Sequence, residues 1–396
     1  MIAQLVSKPS RLIIGLMSGT SLDGVDAAVV RVEGKGLETK AELVGFTTVP
    51  YDDKLREKLK ELCSVEHSDV AKVCGMNFYI AEVFADAAER AAKEAGLTMN
   101  DIDLISSHGQ TIWHIPVADE QDWSLVRSTL QIGDLSVIAK RTGKPVVGDY
   151  RTADMAVGGQ GAPLVPYADF ILFRDGKKGR ILQNIGGIGN CAAIPAGGLP
   201  EQIVAFDTGP GNMLIDQAVH TLSGGEKSYD DGGKWAAQGK ADEAVVAEMM
   251  SHPYFAMQPP KTTGREVFGK AYAQQWIGRM QEKGLSADDI VATFTAFTAH
   301  SIAQSYRDFV LPATPAEEVV VSGGGAHNGT LLAMLAELLP GQTVTTSDAL
   351  GISSDAKEAV AFAVFANNFL FGTPNNLPSA TGAPVATIMG KLALPG

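Results

Sequence analysis

A chain of 396 residues is longer than one ordinary hydrophobic core supports, so two domains of roughly 150 to 200 residues each are expected. With a net charge of −13 a basic face that binds nucleic acid is not expected, and three cysteines argue against a disulfide framework and for a reducing compartment. No run of about 18 uninterrupted apolar residues is present to span a membrane, and Met1 to Arg11 lack the apolar segment of a secretory signal, so the expected compartment is the cytoplasm.

Arg11 to Leu16 is aliphatic and β-rich, breaks at Ser18, Gly19 and Thr20, and resumes at Val25 to Val32, which predicts strand, tight turn, strand. A third strand is expected over Glu38 to Thr48. A helix from Asp52 to Leu62 follows, with Leu55, Leu59 and Leu62 on one face, then a long alanine-rich helix from Ser68 to Ala95. Leu104 to Ser107 reads as a short strand ending in His108-Gly109-Gln110. After a helix at Leu135 to Lys140, a strand at Pro145 to Val147 delivers Asp149-Tyr150-Arg151. The Gly- and Pro-punctuated stretch Met155 to Pro166 marks the domain crossing.

Arg180 to Ile194 repeats the opening plan, with Gly186-Gly187-Ile188-Gly189 as its turn, and a strand at Ile203 to Phe206 ends in Asp207-Thr208-Gly209-Pro210-Gly211-Asn212. Ser286 to Phe309 is expected as an amphipathic helix capped by Ser286 with Asp289 three residues on. A strand at Glu318 to Val321 runs into Ser322 and three glycines. A helix at Asn328 to Leu339, a strand at Thr343 to Thr346, a helix at Asp355 to Phe371 and a last strand at Pro384 to Met389 complete the chain. The expected class is α/β, with two similar lobes facing a cleft: residues 1–152 plus 375–396 in the first and 153–374 in the second.

Four constellations carry chemistry. The hairpin turn Gly19-Thr20-Ser21-Leu22-Asp23-Gly24-Val25-Asp26 combines small residues and backbone N–H groups that suit phosphate with two carboxylates, Asp23 and Asp26, that suit hydrated Mg²⁺. It reads equally as an ordinary polar hairpin, and it is no Walker A loop, because no G-x-x-x-x-G-K-[ST] occurs. Asp207 is expected at a strand end beside a glycine-rich turn, where α/β proteins place catalytic groups, and Gly209, Gly211 and Asn212 offer N–H groups to phosphate. A capping aspartate is the alternative.

Gly323, Gly324 and Gly325 after a strand leave backbone open to a flat nucleoside, or form a simple loop. His108, Gln110, Arg151 and Asp154 mix imidazole, amide, guanidinium and carboxylate groups suited to oriented hydrogen bonds with sugar hydroxyls or a carboxylate. The spacing of His108 and His114 and the lack of a third ligand argue against zinc. Lys261-Thr262-Thr263-Gly264-Arg265-Glu266 reads as a solvated polar loop, and Glu358 as a capping partner of Asp355.

Together, G-x-M-S-G-T-S-x-D-G-x-D, S-H-G-Q-T, D-x-R-x-x-D with G-G-Q-G-A-P-L-V-P, N-I-G-G-I-x-N, F-D-T-G-P-G-N, S-G-G-G-x-x-N and D-A-K-E-A-x-A-F-A, from Arg11 to Phe369, closely resemble the anhydro-N-acetylmuramic acid kinase family. The resemblance implies two ribonuclease-H-like, actin-type lobes with ATP between them. It also implies a reaction in bacterial cell-wall recycling in which ATP and water convert 1,6-anhydro-N-acetylmuramic acid to N-acetylmuramic acid 6-phosphate.

Carried over, Gly19 to Asp26 would hold ATP phosphates and Mg²⁺, with Gly187, Gly209, Gly211 and Asn212 also on the nucleotide and Gly323 to Gly325 by the nucleoside. Asp207 would be the general base, and His108, Gln110, Arg151, Asp154 and Glu358 would meet the sugar. The departures are Tyr150, where the family usually has Phe, and Lys-Thr-Thr-Gly-Arg-Glu, where it often has Lys-Ser-Thr-Gly-Arg-Glu. A different kinase on the same fold and a nucleotide-dependent chaperone are the competing readings, and the short tail after Phe371 leaves no peptide-binding domain for the second. The oligomeric state is left open, a homodimer among the options.

Overall fold

The computed structural model describes residues 1–118 and 121–396 and divides them into two compact units, Met1–Leu172 with Asp355–Gly396, and Phe173–Ser354. In the first unit the aliphatic runs form β1 (Ser10–Ser18), β2 (Gly24–Glu33) and β3 (Lys40–Pro50), an antiparallel meander, followed by β4 (Leu104–Ile115), β5 (Ser128–Ile132) and β6 (Val146–Gly148). Ile14, Leu16, Val25, Ala27 and Val29 are buried against the helix Val70–Glu94, whose alanines at 81, 87, 88, 91 and 92 allow close approach to the sheet. Asp69 caps that helix by accepting Lys72 N–H.

The second unit contains β7 (Arg180–Ile185), β8 (Ile188–Ile194), β9 (Val204–Pro210), β10 (Glu318–Ser322) and β11 (Thr343–Thr346). The chain then returns to the first unit, where β12 (Lys391–Ala393) pairs antiparallel with β6. Read from the meander edge, the first sheet runs β3-β2-β1-β4-β6 and the second β9-β8-β7-β10-β11. The directions match as well, two antiparallel pairings followed by two parallel ones. The expected α/β class with two ribonuclease-H-like lobes is therefore present, and β5 and β12 are additions to the first sheet.

Several expectations change. Segments 153–172 and 355–374, assigned above to the second lobe, pack with the first. The reason lies in the helix Lys357–Leu370, which lies across β1, β2 and β4. Gly15 makes that contact possible, since a Cβ there would stand 1.9 Å from Ala359 O. Tyr167 and Asp169 join the same layer through Asn368 and Lys357.

The strand expected at Pro384 to Met389 does not form. Its backbone N–H groups at Thr387 and Met389 instead donate to the side chains of Asn376 and Asn375, and the last strand comes later. The helix Ala287–Ser305 keeps its Ser286–Asp289 capping box but is buried on nearly every face rather than amphipathic, and it runs on as a π-helical turn, Tyr306–Val310. Among the described residues no helix is long and apolar enough to cross a membrane.

Candidate functional site

In the first unit, β1 and β2 position the turn at Gly19–Asp23. Ser18 Oγ lies 2.7 Å from both Gly24 O and Gln110 Oε1 and accepts the Tyr51 hydroxyl at 3.0 Å, while Gln110 Nε2 donates to Gly19 O at 3.1 Å. Leu22, at φ 59°, and Val25 turn their side chains into the core, and the Leu22 carbonyl accepts Arg56 Nε at 3.2 Å, so these two residues shape the turn and do not face a ligand. Thr20, Ser21 and Asp23 are exposed and Gly19, Gly24 and Asp26 half-buried, which keeps a polar rim on a rigid hairpin. Burial raises the Asp26 carboxyl above its ordinary value, a hydrogen bond from Thr48 opposes the rise, and the like charges of Asp355 and Asp23 add to it.

β4 continues to Ile115, so His108 and Gln110 lie within a strand rather than at its end. Gln110 is 0% exposed and its amide is spent on Ser18, Gly19 and Thr111; it shapes the turn and has no face for a sugar. His108, 4% exposed, accepts Arg151 Nε at 3.0 Å on Nε2, which assigns the proton to Nδ1 beside Gly109 O at 2.8 Å. Burial and the neighbouring guanidinium push its pKa down to about 3, so it is a neutral acceptor that orients Arg151.

Arg151 Nη1 donates to Gly161 O at 2.6 Å, and among the described residues Nη2 has no protein acceptor. Burial pulls this guanidinium down from its ordinary value and Glu358 works against that pull. Asp154, expected to face a sugar, is 0% exposed and fully occupied. It accepts Gly161 N–H, Asn376 Nδ2 and Thr381 Oγ1, each at 2.8 Å, and so ties the Gly-rich segment to the C-terminal one. Glu358 is exposed on the first turn of its helix, whose N-cap is Ala356; it is in no capping box. Lys357 beside it is buried and pairs with Asp169 at 3.1 Å.

In the second unit Asp207 sits inside β9, opposite Asn190, and not beyond a strand end. Its Oδ2 accepts Thr263 N–H at 3.0 Å, and among the described residues Oδ1 has no protein donor. Burial raises this carboxyl and the Thr263 bond opposes the rise. The N–H groups of Gly211 and Asn212, expected to meet phosphate, are instead given to Gly187 O at 2.9 Å and Gly186 O at 2.7 Å. A Cβ at Gly211 would fall 2.3 Å from Gly186 O, so this glycine serves a close backbone crossing. Gly209 is likewise packed, against Phe255 and Ser301.

That crossing gathers Gly187, the Asn212 side chain and Gly324 on one surface, because Asn212 Nδ2 donates to Ile185 O at 3.3 Å beside Gly324. Gly187 and Gly324 are exposed and Gly323 half-buried; Gly325 is packed on Ile185. The residue that sequence reasoning missed is Lys261. Far from solvated, it is buried beside Asp207, and only the two prolines before it hint at a constrained loop.

The family model described as Anhydro-N-acetylmuramic acid kinase matches residues 11–395. The anhydro-N-acetylmuramic acid kinase of Caldanaerobacter subterraneus subsp. tengcongensis is 49% identical over 391 residues, covering 99% of each chain. The protein of the same name from Bacillus cereus strain AH820 is 46% identical over 385 residues, covering 97% of this chain and 99% of its own. Among solved structures, the activator of the 2-hydroxyisocaproyl-CoA dehydratase from Clostridium difficile, with bound ADPNP, superposes with a TM-score of 0.45 at 11% identity, covering 91% of this chain and 96% of that one.

Proposed function

The chain belongs to the anhydro-N-acetylmuramic acid kinase family, and from that premise we infer that it converts 1,6-anhydro-N-acetylmuramic acid, ATP and water to N-acetylmuramic acid 6-phosphate and ADP, a step of peptidoglycan recycling. The observation that carries the mechanism is the Asp207 carboxylate, fixed through Oδ2 by Thr263 N–H and, among the described residues, unpartnered at Oδ1. Asp207 accepts a proton from water as the water oxygen attacks the anomeric carbon C1. The C1–O6 bond opens, the freed O6 attacks the γ-phosphorus of ATP, and the bond to the β,γ-bridging oxygen breaks to release ADP. A raised carboxyl suits this task, because its conjugate base is a stronger proton acceptor than that of an exposed aspartate.

The exposed glycine backbone at Gly187 and Gly324, with half-buried Gly323 and the Asn212 amide, receives the nucleotide. Within the first unit, the turn Gly19 to Asp26 offers the exposed hydroxyls of Thr20 and Ser21, groups suited to phosphate oxygens. Arg151, with Nη2 available, and Glu358 hold polar groups of the sugar, and His108 fixes the guanidinium plane.

The donor set fits Mg²⁺. The Asp23 charge acts on the nearby Asp26 carboxyl, so two carboxylates stand on one turn, as suits an ion held by one or two carboxylates with phosphate and water. When bound, Mg²⁺ would screen the charge of the phosphates. The cytoplasm, where ATP is available, is the compartment this reaction requires.

The test uses the anhydro sugar, ATP and ¹⁸O-water. Mass spectrometry should find one ¹⁸O at C1 and phosphate on O6. A phosphorylated product with its 1,6-anhydro bond intact would sink the mechanism and favour an ordinary sugar kinase.

A further inference from the structure

Lys261 is 3% exposed, and among the described residues it has no ion-pair partner. Its ammonium lies 3.4 Å from Tyr254 O and 3.4 Å from Phe255 O, and 4.5, 4.8 and 5.8 Å from the ring centroids of Phe309, Tyr254 and Phe206. Taking an ammonium out of water is costly, and ring faces and carbonyls offset only part of the cost; a methionine would fill the space without it.

The surroundings show what the charge secures. Lys261 O accepts Asp207 N–H at 3.1 Å, and two residues on, Thr263 N–H donates to Asp207 Oδ2 at 3.0 Å. Tyr254, a wall of the cage, donates its hydroxyl to Asp207 O at 2.6 Å, and Phe206, another wall, is the residue before Asp207 on β9. The third wall, Phe309, belongs to the π-helical turn, where a widened helix presents its ring edge-on to Phe206.

We propose that Lys261 is a positioning residue for the reaction: its caged ammonium fixes the backbone of residues 261 to 263 and, through Thr263 N–H, the orientation of the Asp207 carboxylate, leaving Oδ1 aimed at the reacting water. The proposal rests on Asp207 as the general base. The titratable groups facing Asp207 are Tyr254 and Cys191, both held neutral by burial, and Asp308 faces Lys261 from the π-helical turn.

The experiment follows two readouts in the full chain: the Asp207 pKa from ¹³C-carboxyl NMR, its resonance assigned with Asp207→Asn, and steady-state kinetics. In Lys261→Met the backbone of residues 261 to 263 is no longer anchored, and as the Thr263 N–H drifts from Oδ2 the Asp207 pKa should rise. The kcat should fall by roughly 10- to 100-fold while the sugar KM stays within about twofold. Phe309→Leu keeps the charge but loosens the cage, so it should shift both readouts in the same direction by less, and it stands in should Lys261→Met fail to fold. A raised pKa with unchanged kcat would leave the positioning intact and defeat the base assignment instead. An unchanged Asp207 pKa in both variants, whatever happens to kcat, would overturn the proposal.

Discussion

Burial holds the Asp207 carboxyl above its ordinary value, and a base acts only when ionised. The kcat is therefore expected to fall as pH drops through the folded-state pKa, with an acid limb above the value near 3.9 of a solvated aspartate. Asp207→Asn removes the proton acceptor and should lower kcat by roughly 10²- to 10⁴-fold. Stability moves the other way. A carboxyl whose folded pKa is raised favours the folded state when protonated, so its ionisation destabilises the fold progressively as pH rises from the unfolded pKa through the folded one. An amide never ionises and can still accept Thr263 N–H, so Asp207→Asn at pH 7.5 should have a Tm equal to or above that of the parent. A variant that loses Tm along with activity would make Asp207 a structural residue, and one that keeps its kcat would remove it from the chemistry.

The helix Lys357–Leu370 carries Lys357 and Glu358 to the first unit's polar cluster, and its seat is set by the missing side chain at Gly15. Gly15→Ala would drive a methyl into Ala359 O at 1.9 Å and toward Ala363 N at 3.1 Å, neither of which can yield without moving the helix. Such overpacking costs about 1–3 kcal/mol, to be read as a lowered urea midpoint with the sugar KM raised as Glu358 shifts. An unchanged midpoint would show that the helix is not seated there.

Elements of this kind were legible in the sequence wherever pattern and capping agreed, as at Thr343–Thr346, or at Asp52, which caps the helix Asp53–Leu62. The strand carrying Asp207 was found, but its length was not. Pro210 and the glycines suggested a break, whereas β9 pairs with β8 as far as Pro210. Gln110 and Asp154 were selected for polarity; their burial arises from partners far along the chain, Ser18 and Asn376, which no local pattern reveals. Lys261 was passed over for the same reason, since its cage comes from three separate elements.

Two copies of one sheet plan, β3-β2-β1-β4-β6 and β9-β8-β7-β10-β11, each place a Gly-rich hairpin turn between the first two strands of a meander. The copies have diverged in their turns: the first carries hydroxyls and a carboxylate at Thr20, Ser21 and Asp23, and the second only the glycines 186 and 187. They differ also in continuity. The first unit is closed by a returning segment from Asp355 onward, whereas the second is the single stretch Phe173–Ser354. Among the described residues, the apolar core built on Leu214, Phe268 and Phe294 and that on Ile181, Val319 and Leu335 take all their buried members from within that stretch. A contiguous chain of this length with its own sheet and cores meets the physical requirements of an independent domain. The fragment 173–354 is therefore expected to unfold in urea in one cooperative transition with native-like near-ultraviolet dichroism. It should have no kinase activity, because Arg151, Glu358 and the Gly19–Asp26 turn are missing. A fragment that binds hydrophobic dye and melts without a cooperative transition would show that its cores depend on the rest of the chain.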